Sequence, residues 1–271
     1  MGTFYDKWLR YWEEEQEERA RARKIIHEED LEWVRTKQDY RAALLCSKEN
    51  GFVTAGNVLL GEIPKGWHSG SHSHGEEAIF IVDGEGFSVI DGYRYDWDAG
   101  SCLFIPFGAI HQHFNSGEKT VRYLSAMALA LERFAGLAKV MQYEEAGETY
   151  LGMLEGSEPA ESDIHPQFGR IVLKSRDTQV ISGEEATRQR AGSKEEFEAT
   201  MPKEMNMPGQ PPHSAKQITL MSSENGFKAR EVNLTAVFLN EPGERTGKHA
   251  HMEAQLYVLE GEGYSILDGE K

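Results

Sequence analysis

The sequence predicts an all-β protein built from two copies of one small barrel or jelly roll, preceded by a helical arm. Three observations carry this reading. A block of sequence occurs twice, apolar residues alternate with small or polar ones inside each block, and the N-terminal stretch follows a different, charge-rich pattern.

The arm comes first. Trp8, Leu9, Tyr11 and Trp12 give way to a Glu/Arg-rich run, followed by Ile25, Ile26, Leu31, Trp33 and Val34. This predicts helix over residues 4–36, with the charge run as its solvated face and its apolar residues resting on the barrel or on a second subunit. The arm is assigned to residues 1–40.

The repeat follows. Residues 45–52 read LCSKENGF and 220–227 read LMSSENGF; HSHGEEAIFIVDGEGFSVIDG at 72–92 returns as HAHMEAQLYVLEGEGYSILDG at 249–269. Within the first copy, residues 41–149, AIFIVDGEGFSVIDGYRYDW alternates Val, Ile, Phe and Tyr with polar residues and is punctuated by Asp-Gly, the signature of strands joined by tight turns. DAGSCLFIPFGAIHQHFN adds a strand and a bend at Pro106 and Gly108. Residues 150–215, including MPKEMNMPGQPPHS, read as a linker in which FGRIVLKS alone looks strand-like. The second copy, residues 216–271, stops just past Asp268-Gly269, the match of Asp91-Gly92. Its barrel is therefore expected to be incomplete, the favoured explanation being a fragment of a longer protein and the alternative completion by another chain.

Composition narrows the function. The 271 residues carry a formal charge of -16, which disfavours a nucleic-acid surface. Cys46 and Cys102 form no CxxC, so neither a disulfide framework nor a thiolate zinc site is expected. A charged N-terminus without an apolar signal region, and the lack of any run of roughly 20 apolar residues, point to a cytoplasmic protein without a membrane partner. No phosphate loop, nucleophile elbow or dinucleotide fingerprint occurs, and the GEG triplets lie in turns of the repeated strand pair.

The histidines carry the chemistry. In a strand, residues two apart face the same side, so His72 and His74 project together. With a carboxylate nearby and His111 after the bend, these residues suit a divalent first-row metal: Fe(II), Mn(II), Ni(II) or Zn(II). His113 shares the face of His111 and is a candidate for contacting substrate or supporting the ligands, or for plain packing. Phe80, Phe104, Phe107 and Phe114 serve either as core or as the wall of an apolar substrate site.

Gly70, His72, His74, Glu77 and Gly84, then Gly100, Pro106, Gly108, His111 and Asn115, resemble the two signature motifs of the cupin superfamily. The resemblance covers residues 45–130, and the first motif alone over 220–269. It implies tandem cupin barrels, usually paired into homo-oligomers, with His72, His74, Glu77 and His111 as metal ligands. Glu77 is preferred to its neighbour Glu76 because its distance to Gly84 matches the motif and Glu76 would face the other side of a regular strand. In the second copy His249 and His251 persist as possible ligands, but Ala254 stands where Glu77 stood. The duplication, the arm and IPFGAIHQHFN look most like the gentisate 1,2-dioxygenase-like bicupins, although that family relies on three histidines without the glutamate. This likeness implies an Fe(II) enzyme that takes a hydroxylated aromatic or carboxylic acid and dioxygen, with His113 or Gln112 orienting the reacting oxygen. The alternatives are a manganese decarboxylase, a metal-assisted isomerase or hydrolase, and a non-catalytic small-molecule binder.

Overall fold

The computed structural model describes residues 2–150, 157–182, 185, 215–248 and 253–271. Two antiparallel sheets enclose the first copy. Its strands are β1 Arg41–Cys46, β2 Asn57–Ile63, β3 Trp67–His68, β4 Ser71–Ser73, β5 Glu77–Asp83, β6 Glu85–Ile90, β7 Tyr93–Asp98, β8 Ser101–Ile105, β9 His111–Asn115 and β10 Val121–Met127. One sheet runs β1-β2-β10-β5-β8; the other includes β4-β9-β6-β7, with β3 also on β9. Two short strands after the barrel, β11 Met141–Glu144 and β12 Gly147–Glu148, pair with β4 and β3 and close that edge.

The strand periodicity explains the core. Ile79 and Ile81 of β5 pack with Ile63, Ile90, Trp97, Leu103, Ile105 and Val121 inside the barrel, while Ala78 and Phe80 enter a second cluster. Because both faces of β5 are covered, its sequence reads as a continuous apolar run. β6 and β7 meet through Asp91 and Gly92 at φ 47° and 88°, the two positive-φ positions of a type I′ hairpin turn. Asp91 also accepts a hydrogen bond from the Ile110 amide at 2.8 Å, tying this turn to the start of β9.

The residues expected to form a linker are partly built into the barrel. Val172–Lys174 pairs with β8, and Ile171 and Val172 are buried in the interior cluster.

The arm differs from the expectation of helix over 4–36. Helices span Phe4–Trp8 and Tyr11–Arg21, and the chain then becomes extended. The Glu/Arg run sustains the second helix through spaced pairs such as Arg19–Glu15. Beyond it, Val34 is bridged to Ala42 and Leu31 packs on Ala43 and Leu60, so strand pairing and burial outweigh helix propensity there. Phe4, Trp8, Leu9 and Trp12 are exposed rather than resting on the barrel.

The second copy repeats the opening of the first. Lys216–Met221 and Leu234–Phe238 form an antiparallel hairpin in which Thr219 faces Thr235, as Leu44 faces Leu59. The turn is repeated as well: Ser47 and Ser222 each accept a hydrogen bond from the amide two residues on, and Gly51 and Gly226 both end the turn at φ 93°. Ile218, Leu220, Met221 and Phe227 pack against Ala78, Phe80, Cys102 and Phe104 on the outer side of the first barrel. Residues 253–271 hold only the bridge Leu267–Glu270 and its Asp268-Gly269 turn, so the second barrel is incomplete in this chain. Leu256 is 83% exposed, whereas its counterpart Ile79 is 1% exposed.

Candidate metal centre

β4 and β9 bring the histidines together. His72 lies directly opposite His111 in the β4–β9 ladder, and His74 follows β4 at the bend into β5. The Gly108 amide, at φ 78°, donates to the His74 carbonyl at 2.7 Å and pins the Pro106–Gly108 bend to the His72/His74 segment. Ring centroids are 4.8 Å apart for His72–His74, 4.1 Å for His72–His111 and 4.8 Å for His74–His111.

Each ring is oriented by a backbone carbonyl. Nδ1 of His72 lies 3.3 Å from the Gly70 oxygen, Nδ1 of His74 2.9 Å from the Gly75 oxygen, and Nδ1 of His111 2.9 Å from the Ala109 oxygen. These contacts place the protons on Nδ1 and leave the Nε2 lone pairs for the shared centre. Glu77 completes the group. Its Oε1 accepts from the Ser125 hydroxyl, and its Oε2 stands 3.4 Å from His74 Nε2 and 3.7 Å from His111 Nε2.

The electrostatics match. Burial drives His72 down to about 3 and His113 to about 4, and holds His111 well below the usual imidazole value. Burial pulls His74 down too, but contact with Glu77 and its charge outweigh this and raise it. For Glu77, burial would favour the neutral acid; His74 beside it reverses the sign and keeps the carboxylate ionised. Glu77 Oε2 and His111 Nε2 are buried without a hydrogen-bond partner among the described residues, an arrangement that is costly unless something fills it. One ligand atom from each of His72, His74 and His111 lies within 4.8 Å of the others, as do those of Glu77, His111 and His113. Three imidazole nitrogens and a carboxylate oxygen form a donor set that could hold a divalent first-row metal.

The remaining candidates fall into place around this cluster. His113 is buried beside it, its ring 5.5 Å from His111, with Nδ1 2.7 Å from Ser88 Oγ, which also accepts from Trp97 Nε1 at 2.8 Å. Gln112 is not brought to the cluster. Alternation along β9 turns it to the other face, where its Nε2 lies within 3.0 Å of the Ser69 carbonyl and 2.9 Å of His68 Nδ1. Glu76 also turns away from the histidines and is held by the backbone of residues 230–232. Asn115 staples the turn after β9, donating to the carbonyls of Ile63 and Lys119 and accepting from the Gly117 amide. His249 and His251 lie outside the described residues.

The phenylalanines do not wall the cluster. Phe80 and Phe104 pack outward under the second-copy hairpin, Phe107 is exposed, and Phe114 stacks on Phe87. Sequence reasoning missed Ser125, Ser88 and Trp97. The pairing of β10 with β5 sets Ser125 near Glu77, a relation between distant segments that no local motif encodes. Both cysteines are free. Among the described residues, no helix is long and apolar enough to cross a membrane.

Residues 59–127 match the family described as the cupin domain. A search of curated proteins finds no match. Among solved structures, oxalate decarboxylase from Bacillus subtilis aligns at 17% identity and a TM-score of 0.33, covering 36% of this chain and 27% of that one. A cupin 2 conserved barrel domain protein from Rhodopseudomonas palustris aligns at 22% identity and 0.32, covering 38% and 77% respectively. The polyketide cyclase RemF from Streptomyces resistomycificus aligns at 18% and 0.35, covering 48% and 87%. These superpositions are partial, and nothing about activity follows from them. The first copy is all-β, and the matched residues 59–127 include His72, His74, Glu77 and His111.

Proposed function

We propose that the first barrel is a mononuclear metal enzyme acting on a small chelating acid, with His72, His74, His111 and Glu77 as the protein ligands. The observation that carries this is the pair of buried, unpartnered atoms, His111 Nε2 and Glu77 Oε2, facing one another at 3.7 Å beside His72 and His74. A divalent metal bound there supplies Lewis acidity toward the acid and, when it is iron, electron transfer to dioxygen.

The chain's own residues do the rest. The carbonyls of Gly70, Gly75 and Ala109 fix the three imidazole tautomers, and Ser125 fixes the Glu77 carboxylate. The apolar interior formed by Ile79, Ile81, Ile105 and Val121 limits water inside the barrel. His113, kept neutral by burial and aimed by Ser88, is the group placed to hold or pass a proton beside the ligands.

The finer reading is an Fe(II) dioxygenase that cleaves a carbon–carbon bond of a hydroxylated aromatic acid. A manganese decarboxylase is the second reading, favoured by the position of Glu77 within the cluster, since the gentisate-like pattern lacks that carboxylate. Oxygen uptake by Fe(II)-loaded protein with hydroxylated aromatic acids, lost in His111→Ala, supports the first. Carbon dioxide release from oxalate by Mn(II)-loaded protein, without oxygen uptake on the aromatic acids, replaces it with the second.

A further inference from the structure

Two adjacent glutamates begin the β5 segment, and the repeat treats them differently. Glu77 is replaced by Ala254 in the second copy, whereas Glu76 is retained as Glu253. The retained pair makes matching contacts in opposite directions. Glu76, buried in the first copy, accepts backbone hydrogen bonds from Arg230 at 2.8 Å, Glu231 at 2.8 Å and Val232 at 3.2 Å in the second. Glu253 of the second copy accepts from the backbone amides of Ala55 at 3.0 Å and Gly56 at 3.3 Å, and from the Thr54 hydroxyl, in the first. Residues 54–56 and 230–232 occupy the same place in the two repeats, just before the second strand of each opening hairpin. Gln255 reinforces the second contact, donating to Thr54 Oγ1 at 2.6 Å.

From this geometry we infer that Glu76 and Glu253 form a reciprocal, two-fold-like clasp between the repeats, and that Glu76 acts through it as a positioning residue for the metal centre. A carboxylate that accepts several backbone N–H groups makes charge-assisted bonds, stronger than those between neutral groups. Glu76 directly precedes Glu77, so fixing the Glu76 side chain to the second repeat fixes the start of β5. That in turn sets where the Glu77 carboxylate meets His74 and His111. The second repeat, which lacks the Glu77 counterpart, then serves as a buttress for the first. The positioning role rests on the metal-centre reading above; the clasp does not.

The test uses the full chain with Glu76→Gln, Glu253→Gln and His111→Ala variants. Amide hydrogen exchange on chelator-treated protein reads the clasp, and Mn(II) titration followed by electron paramagnetic resonance reads the site. The expected result for Glu76→Gln is faster exchange at residues 230–232, Mn(II) affinity weaker by about tenfold and an altered bound spectrum. For Glu253→Gln it is faster exchange at Ala55 and Gly56, with Mn(II) affinity held within about twofold. Unchanged exchange at 230–232 in Glu76→Gln would overturn the clasp. Faster exchange with Mn(II) affinity and spectrum as in wild type, or an equal loss of affinity in Glu253→Gln, would overturn the positioning role. Wild-type Mn(II) binding no tighter than that of His111→Ala would instead sink the metal-centre reading, leaving exchange to decide the clasp.

Discussion

His111 is fully buried, its Nδ1 is held by the Ala109 carbonyl, and its Nε2 has no partner among the described residues. A neutral histidine so placed has one free lone pair, and it points at Glu77 and His74. His111→Ala is therefore expected to abolish tight divalent-metal binding while the barrel stays folded, checked by metal titration alongside circular dichroism. His113 supplies a test of protonation. Its folded value is near 4, below the ordinary imidazole value of about 6.5 that applies to the unfolded chain. The unfolded chain thus binds a proton that the folded one does not as pH falls below about 6.5. The His113 contribution to stability is present above that pH and is lost on acidification toward about 4. In chelator-treated protein, the stability difference between wild type and His113→Gln should fall by about 1.4 kcal/mol per pH unit across that window, measured by urea unfolding. A flat difference would mean that the imidazole is not held neutral.

At the scale of elements, the bend between β4 and β5 is the tightest part of the site. A side chain at Gly75 would place its first carbon 1.6 Å from Oε1 of Glu132, so any larger residue there must displace the buried end of the Glu132 side chain. Burial raises the Glu132 carboxyl, and the neighbouring Glu231 carboxyl adds to the rise. Gly75→Ala is expected to cost about 1–3 kcal/mol of stability, the usual range for overpacking, read from denaturant midpoints. Phe227, buried against Phe104 under the hairpin Lys216–Met221/Leu234–Phe238, offers the complementary test. Phe227→Ala should cost about 3–5 kcal/mol if that hairpin belongs to the same cooperative unit as the barrel.

The strand alternation and Asp-Gly turns made this sheet readable from sequence, because burial on β6 to β10 follows period two or a continuous run. Local pattern misled where tertiary contact decides. Residues 31–34 look helical by composition yet are taken up by Ala42 and Leu60, whereas FGRIVLKS, the one strand-like stretch of the expected linker, does form a strand and adds Ile171 and Val172 to the core. At the site, the paired histidines and His111 were visible because motif spacing reports strand geometry directly. Ser125 was not, because only the β10–β5 register brings it to Glu77.

At the scale of the whole molecule, one repeat forms the two-sheet barrel and the other adds a hairpin against its outer face. The duplication retained the turn chemistry and the counterpart of Glu76, whereas Ala254 stands where Glu77 stood. A metal that binds only the folded barrel raises the stability of the whole chain, by about 2.7 kcal/mol at a free concentration of one hundred times Kd. The measurement that bears most directly on the metal-centre reading is metal content by elemental analysis of anaerobically purified protein, for wild type and for the His111→Ala and Glu77→Ala variants. The predicted result is close to one divalent first-row metal per wild-type chain, lost in His111→Ala and strongly reduced in Glu77→Ala. A wild-type chain that stays metal-free after loading, or variants that retain metal as wild type does, would contradict the account.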